Sequence, residues 1–148
     1  MRGQPEFVAH AFELMLALPE VDPERIGVIG FSRGGLLALD LATRRSADID
    51  VLVVMAPAEA RGMLGRVLTA ADRITAPVLL MVAENDKAQA DHVAIVQRID
   101  VTLRRMGISV ETIRYPPYGR DGHALFFEVG SYWPDVIAFL EVGLGPPG

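Results

Sequence analysis

Ile26-Gly27-Val28-Ile29-Gly30-Phe31-Ser32-Arg33-Gly34-Gly35 decides how this chain is read. Its first half is short, apolar and without alternation, the pattern of a parallel strand buried on both faces, so a central strand is expected. Its second half breaks on glycines before Leu36 to Arg45, which has helical composition. Gly30-Phe31-Ser32-Arg33-Gly34 therefore fits G-x-S-x-G at a strand-to-helix junction. A sharp turn there forces the serine into an unusual backbone conformation, and the flanking glycines are expected to be required because a Cβ would strike strand or helix. It exposes the Ser32 hydroxyl at the carboxyl edge of the sheet and aims the Arg33 amide at the place where an acyl-transfer oxyanion forms. A structural glycine turn or a phosphate-cradling loop is the competing reading. Neither the Walker-A lysine nor G-x-G-x-x-G spacing is present.

The chain on either side has the same organisation. Upstream, Pro5 to Leu18 reads as a helix with Phe7, Ala11, Leu14 and Leu18 on its apolar face, stopped at Pro19. Asp22 to Arg25 reads as a turn. Downstream, Ile49 to Met55 is a second apolar run, followed by a connection from Ala58 to Ala76, a strand from Pro77 to Val82 and a helix from Asp91 to Met106. A strand from Ile108 to Tyr115 and a helix from Pro134 to Val142 complete the order. Strands alternating with helices predict a three-layer α/β/α fold with a mostly parallel sheet and right-handed crossovers. One domain over residues 1–148 is expected, with 143–148 as a frayed tail.

A serine hydroxyl is a poor nucleophile at neutral pH and needs a base, which needs a partner to hold its tautomer. His123 follows the last strand in Arg120-Asp121-Gly122-His123, and Asp86 follows the preceding one in Ala83-Glu84-Asn85-Asp86. All three candidates fall at strand carboxyl ends in the order Ser, Asp, His. Glu84, Asp91 and Asp121 compete with Asp86. His10 and His92 are weaker rivals of His123, one before the nucleophile and one opening a helix, and both are expected at the surface. The Arg33 side chain reads as an acyl- or carboxylate-binding group or as a structural ion pair.

Composition narrows the function further. With 51% apolar residues in 148, the chain can build one core. A net charge of −5 and 14 basic residues dispersed along the sequence argue against nucleic acid as a partner. The absence of cysteine excludes disulfides, a thiolate nucleophile and Cys-ligated zinc, and three dispersed histidines make a thin case for any metal. Glu6, His10 and Glu13 interrupt the first apolar stretch and no cleavage site precedes Pro19, so a soluble, cytoplasmic protein without a membrane role is expected.

Val21 to Gly35, Ala83 to Asp86 and Gly122-His123-Ala124-Leu125-Phe126 together resemble the dienelactone-hydrolase branch of the α/β-hydrolases, over nearly the whole chain. The resemblance implies a triad of Ser32, Asp86 and His123, an oxyanion donor at Arg33, no cofactor, and activity on small esters or lactones. Dienelactone hydrolases proper carry a cysteine where this chain has Ser32, so a serine esterase is the better carry-over. The family also has strands ahead of the helix that here starts at Pro5. Among them is the loop that normally supplies the second oxyanion donor.

Three expectations follow. Met55 to Ala76 has room for a loop and short helix but no lid, so the site should be open and suited to short acyl groups. Ile26 to Phe31 should form an unprotected sheet edge, and pairing with its own copy would make a homodimer with the two strands antiparallel. The competing class is a non-catalytic binding or oligomerisation module, and acyl transfer to an acceptor other than water would use the same triad.

Overall fold

The computed structural model describes residues 3–147. Five α-helices and four strands alternate: α1 (Gln4–Leu16), β1 (Gly27–Phe31), α2 (Arg33–Arg44), β2 (Val51–Met55), α3 (Met63–Thr69), β3 (Val78–Ala83), α4 (His92–Arg105), β4 (Val110–Tyr115) and α5 (Trp133–Leu144). The strands pair in the order β1-β2-β3-β4, all parallel. Because the connection between parallel strands must cross a sheet face, each is made by a helix or by a helix with a short 3₁₀ turn.

The two central strands are buried at every position, which explains their unbroken apolar runs. Leu52, Val54, Val78, Leu80 and Val82 project to the face covered by α1 to α4, where Leu36, Leu39, Leu64 and Ile99 complete the larger core. Val53, Met55, Leu79 and Met81 project to the opposite face under α5 and the 3₁₀ segment Gly122–Phe126. The layers are therefore three, with unequal helix cover. α5 comes close enough to the sheet that a Cβ on Gly143 would lie 2.8 Å from Val51. Burial, then its bond to Asp135 at 2.6 Å, pushes the Tyr115 hydroxyl well above the ordinary tyrosine range and ties β4 to α5.

The structure corrects two expectations and decides between two readings of β1. That strand has a strand neighbour on one side only among the described residues, with Gly27 and Ile29 exposed, so it is the sheet edge expected of Ile26 to Phe31 and not the central strand that its apolar run alone predicts. The stripe Phe7, Ala11, Leu14, Leu18 faces outward, Phe7 being 73% exposed. The stripe one residue on, Val8, Phe12 and Met15, packs inward instead. Both repeat at helical spacing; the choice is made by α2 and by Arg45, which lies over the Phe12 ring and bonds Glu13 at 2.6 Å. The last helix continues to Leu144, past the expected tail start at Gly143, and Arg25 donates to the carbonyls of Leu144 and Gly145. Gly148 lies outside the described residues. No described helix is long and apolar enough to cross a membrane.

Candidate active site

Ser32 stands between β1 and α2 with φ +54°, one of the few non-glycine residues in that half of backbone space. Backbone bonds to the end of β2 impose it. The Ser32 amide donates to Met55 at 2.9 Å, and its carbonyl accepts from Ala58 at 2.9 Å and from Leu36 at 3.2 Å. The turn is so tight that a Cβ on Gly30 would lie 2.3 Å from the Gly34 carbonyl oxygen. Gly34 itself has open space where its Cβ would be, so only the first glycine of the motif is sterically required; Gly35, with backbone of Pro57 at 3.3 Å, is the other crowded position. Arg33 opens α2, where backbone amides have no intrahelical partner and the dipole favours negative charge.

The structure brings the three sequence candidates together. His123 Nε2 is 3.1 Å from Ser32 Oγ, and His123 Nδ1 is 2.8 Å from Asp86 Oδ2. With a carboxylate at Nδ1, the proton belongs on that nitrogen, leaving the Nε2 lone pair to accept the serine O–H. Asp86 is 1% exposed, and a carboxylate so deeply enclosed requires donors. The imidazole is walled by Phe31 at 4.7 Å between ring centres and by Phe127 at 6.2 Å. Phe126 packs on Phe31 and Tyr132 behind it.

Acid and base loops are joined by Asn85. Its Nδ2 donates to the carbonyls of Tyr118 and Gly119, and its Oδ1 accepts from the Tyr118 amide at 2.9 Å. The Asn85 carbonyl accepts the Gly122 amide, and Gly122 fits because a Cβ there would lie 2.8 Å from the Asp86 nitrogen. The rivals of Asp86 have other work. Asp91 caps α4 by accepting the Ala94 amide, Asp121 accepts the His123 amide at 3.1 Å, and Glu84 is exposed.

Of the histidines, His10 is exposed as expected, but His92 is not at the surface. It is 4% exposed, with Nδ1 2.8 Å from Asp86 Oδ1 and its ring stacked on that of His123 at 4.5 Å. A position opening a helix carries no local signal for such burial, because the partners come from other loops. Asp86, His92 and His123 are also the one described cluster whose donor atoms, within 4.8 Å of one another, could hold a metal ion. In the apposition seen, the carboxylate is shared between two imidazoles.

The Arg33 side chain is exposed and has no ion pair among the described residues. It lines a groove of about 1330 Å³ over α2 with Arg44, Arg61, Arg66 and Arg73, so arginines dispersed in sequence converge in space. Asp40 offsets Arg44 there at 2.7 Å.

The dienelactone hydrolase family model matches residues 5–131. Among solved structures, Porphyromonas gingivalis dipeptidyl peptidase 4 superimposes with a TM-score of 0.76 at 19% identity, covering 95% of this chain and 22% of that one. Acetyl xylan esterase 1 from Thermoanaerobacterium sp. JW/SL YS485 gives 0.67 at 19% identity, with 92% and 51% covered. Pyrococcus horikoshii acylaminoacyl peptidase gives 0.73 at 18% identity, with 97% and 28% covered. The chain thus spans about half the length of that esterase and less than a third of either peptidase. No curated protein matches it in sequence.

Proposed function

This chain belongs to the dienelactone hydrolase family, and from that premise we propose that it is a serine esterase acting on small acyl esters through Ser32, His123 and Asp86. The observation that carries the reading is the continuous chain of contacts Ser32–His123–Asp86 at 3.1 and 2.8 Å, formed at the end of three different strands. In this mechanism His123 Nε2 takes the Ser32 proton as Oγ attacks the ester carbonyl carbon. The carbonyl oxygen becomes an oxyanion beside the Arg33 amide and the start of α2, while Asp86 stabilises the imidazolium. Collapse breaks the ester C–O bond, and the alcohol leaves with the proton from His123. Water, deprotonated by the same nitrogen, then attacks the acyl-enzyme and releases the acid and free Ser32.

A small acyl group suits the surroundings. Between Met55 and Ala76 lie only a loop, α3 and the 3₁₀ turn Ala71–Arg73, and the wall beside His123 is aromatic. The test is hydrolysis of p-nitrophenyl acetate, butyrate and octanoate by the chain beside Ser32→Ala, with fluorophosphonate labelling read by mass spectrometry. Acetate and butyrate should exceed octanoate, one label should sit on Ser32, and the variant should lose both activities. Near wild-type turnover by Ser32→Ala would overturn the reading.

We also propose that a second copy covers the edge of β1. The strand is apolar, carries no charged side chain, proline or bulge, and among the described residues has no strand paired on the side away from β2. Two-fold symmetry sets the paired strands antiparallel. Sedimentation across a dilution series should show a dimer that dissociates; a monomer at every concentration would exclude it.

A further inference from the structure

We infer that His92 is a positioning residue of the active site, holding the oxygen of Asp86 that His123 does not use and bracing the His123 ring from behind. The inference rests on the triad proposed above. Its basis is a closed local structure. The His92 amide donates to the Asp86 carbonyl at 3.1 Å while the His92 ring approaches the Asp86 carboxylate at 2.8 Å, so backbone and side chain of one residue grip backbone and side chain of the other. The approach of Nδ1 to Oδ1 is bent away from hydrogen-bond geometry, yet neither atom has another partner. Both are buried. A carboxylate oxygen in that position is stabilised by a donor and destabilised by a lone pair, so the His92 proton belongs on Nδ1.

This placement does two things for His123. It fixes the plane of the carboxylate, so that Oδ2 stays in line with His123 Nδ1. The stacked rings, 4.5 Å apart and 30° from parallel, leave His123 no room to tilt away from Ser32 on that side. A histidine kept only for packing would do none of this through its nitrogen. Charged groups close by are Asp121, which accepts the His123 amide, and the exposed pair Lys87–Asp91 at 3.9 Å; all three are unchanged in the test below.

Two variants separate the nitrogen from the ring. His92→Phe keeps an aromatic ring against His123 and deletes the donor; His92→Asn keeps an amide donor near the Nδ1 position and deletes the ring. With p-nitrophenyl butyrate, His92→Phe should lower kcat by roughly tenfold or more with little change in KM, as expected when a buried partner of a catalytic group is lost. His92→Asn should recover most of kcat. If His92→Phe does not fold, His92→Ala takes its place with the same kcat and KM readouts. Equal losses in the donor-keeping and donor-deleting variants, or a loss that falls on KM rather than kcat, would overturn the inference. Fluorophosphonate labelling of Ser32 in each variant keeps the two questions apart: wild-type labelling and turnover in His92→Phe refute the role of His92 alone, whereas wild-type chain that neither labels nor turns over refutes the triad.

Discussion

The serine elbow and the acid–base pocket lie side by side but are held by different means. Ser32 is held by backbone: amide and carbonyl bonds to Met55, Ala58 and Leu36, and a turn too tight for a Cβ on Gly30. Asp86 and His123 are held by side chains: Asn85 across the two loops, His92 against the carboxylate, and aromatic rings around the imidazole. One half of the site should therefore fail by steric conflict and take the fold with it. The other should fail by lost polarity while the fold survives.

The largest effect should come from Gly30→Ala. Its Cβ would meet backbone atoms of Gly34 and Gly35 that cannot move without opening the strand-to-helix turn, a conflict on the order of several kcal/mol. Little folded protein should be recovered, as judged by circular dichroism and thermal melting; a variant that melts like wild type would show that the elbow is not set by that contact. Next, Asp86→Asn should leave the melt nearly intact and reduce kcat by roughly 10³ to 10⁴ through the wrong His123 tautomer. Asp121→Asn and Asp91→Asn, whose carboxylates accept backbone amides and, for Asp91, pair with exposed Lys87, should cost far less, and an inverted ranking would reassign the acid. Asn85→Ala unlinks the loops and should lower kcat by roughly tenfold with a loss of about 1 kcal/mol in urea unfolding, since three solvent-accessible hydrogen bonds to the Tyr118–Gly119 backbone are lost. Smallest is Gly34→Ala. Its Cβ enters open space at the start of a helix, so activity should persist and stability should rise by roughly 0.5 to 1 kcal/mol.

The same contrast separates what could be read from sequence from what could not. The elbow is contiguous: ten residues contain the strand, the turn glycine and the helix start, and their reading holds apart from the second glycine and the central place given to the strand. Asp86 and His123 were accessible through topology, because parallel strands place every following loop on one edge. His92 was not accessible. Its burial depends on a carboxylate six positions back and an imidazole from beyond β4, while its own neighbours Asp91 and Lys87 are exposed. The face of α1 failed for a related reason, since two apolar stripes at equal spacing differ only in what α2 offers them. Burial on one face is a property of the partner surface as much as of the helix. The β1 run likewise says that the strand is apolar without saying how many neighbours it has.

The strand order β1-β2-β3-β4 also has a temporal meaning. Ser32 and His123 meet across 91 residues, and no hairpin joins any of the strands between them. Parallel neighbours cannot zip locally; each must wait for an intervening crossover to find its face, which makes such sheets slow to form. Secondary structure can return to a refolding chain in any order, but Ser32 meets His123 only once β4 has docked and carried the His123 loop to Asn85. On the proposed function, recovered turnover is a clock for the last docking event, and should trail the far-ultraviolet signal of the helices.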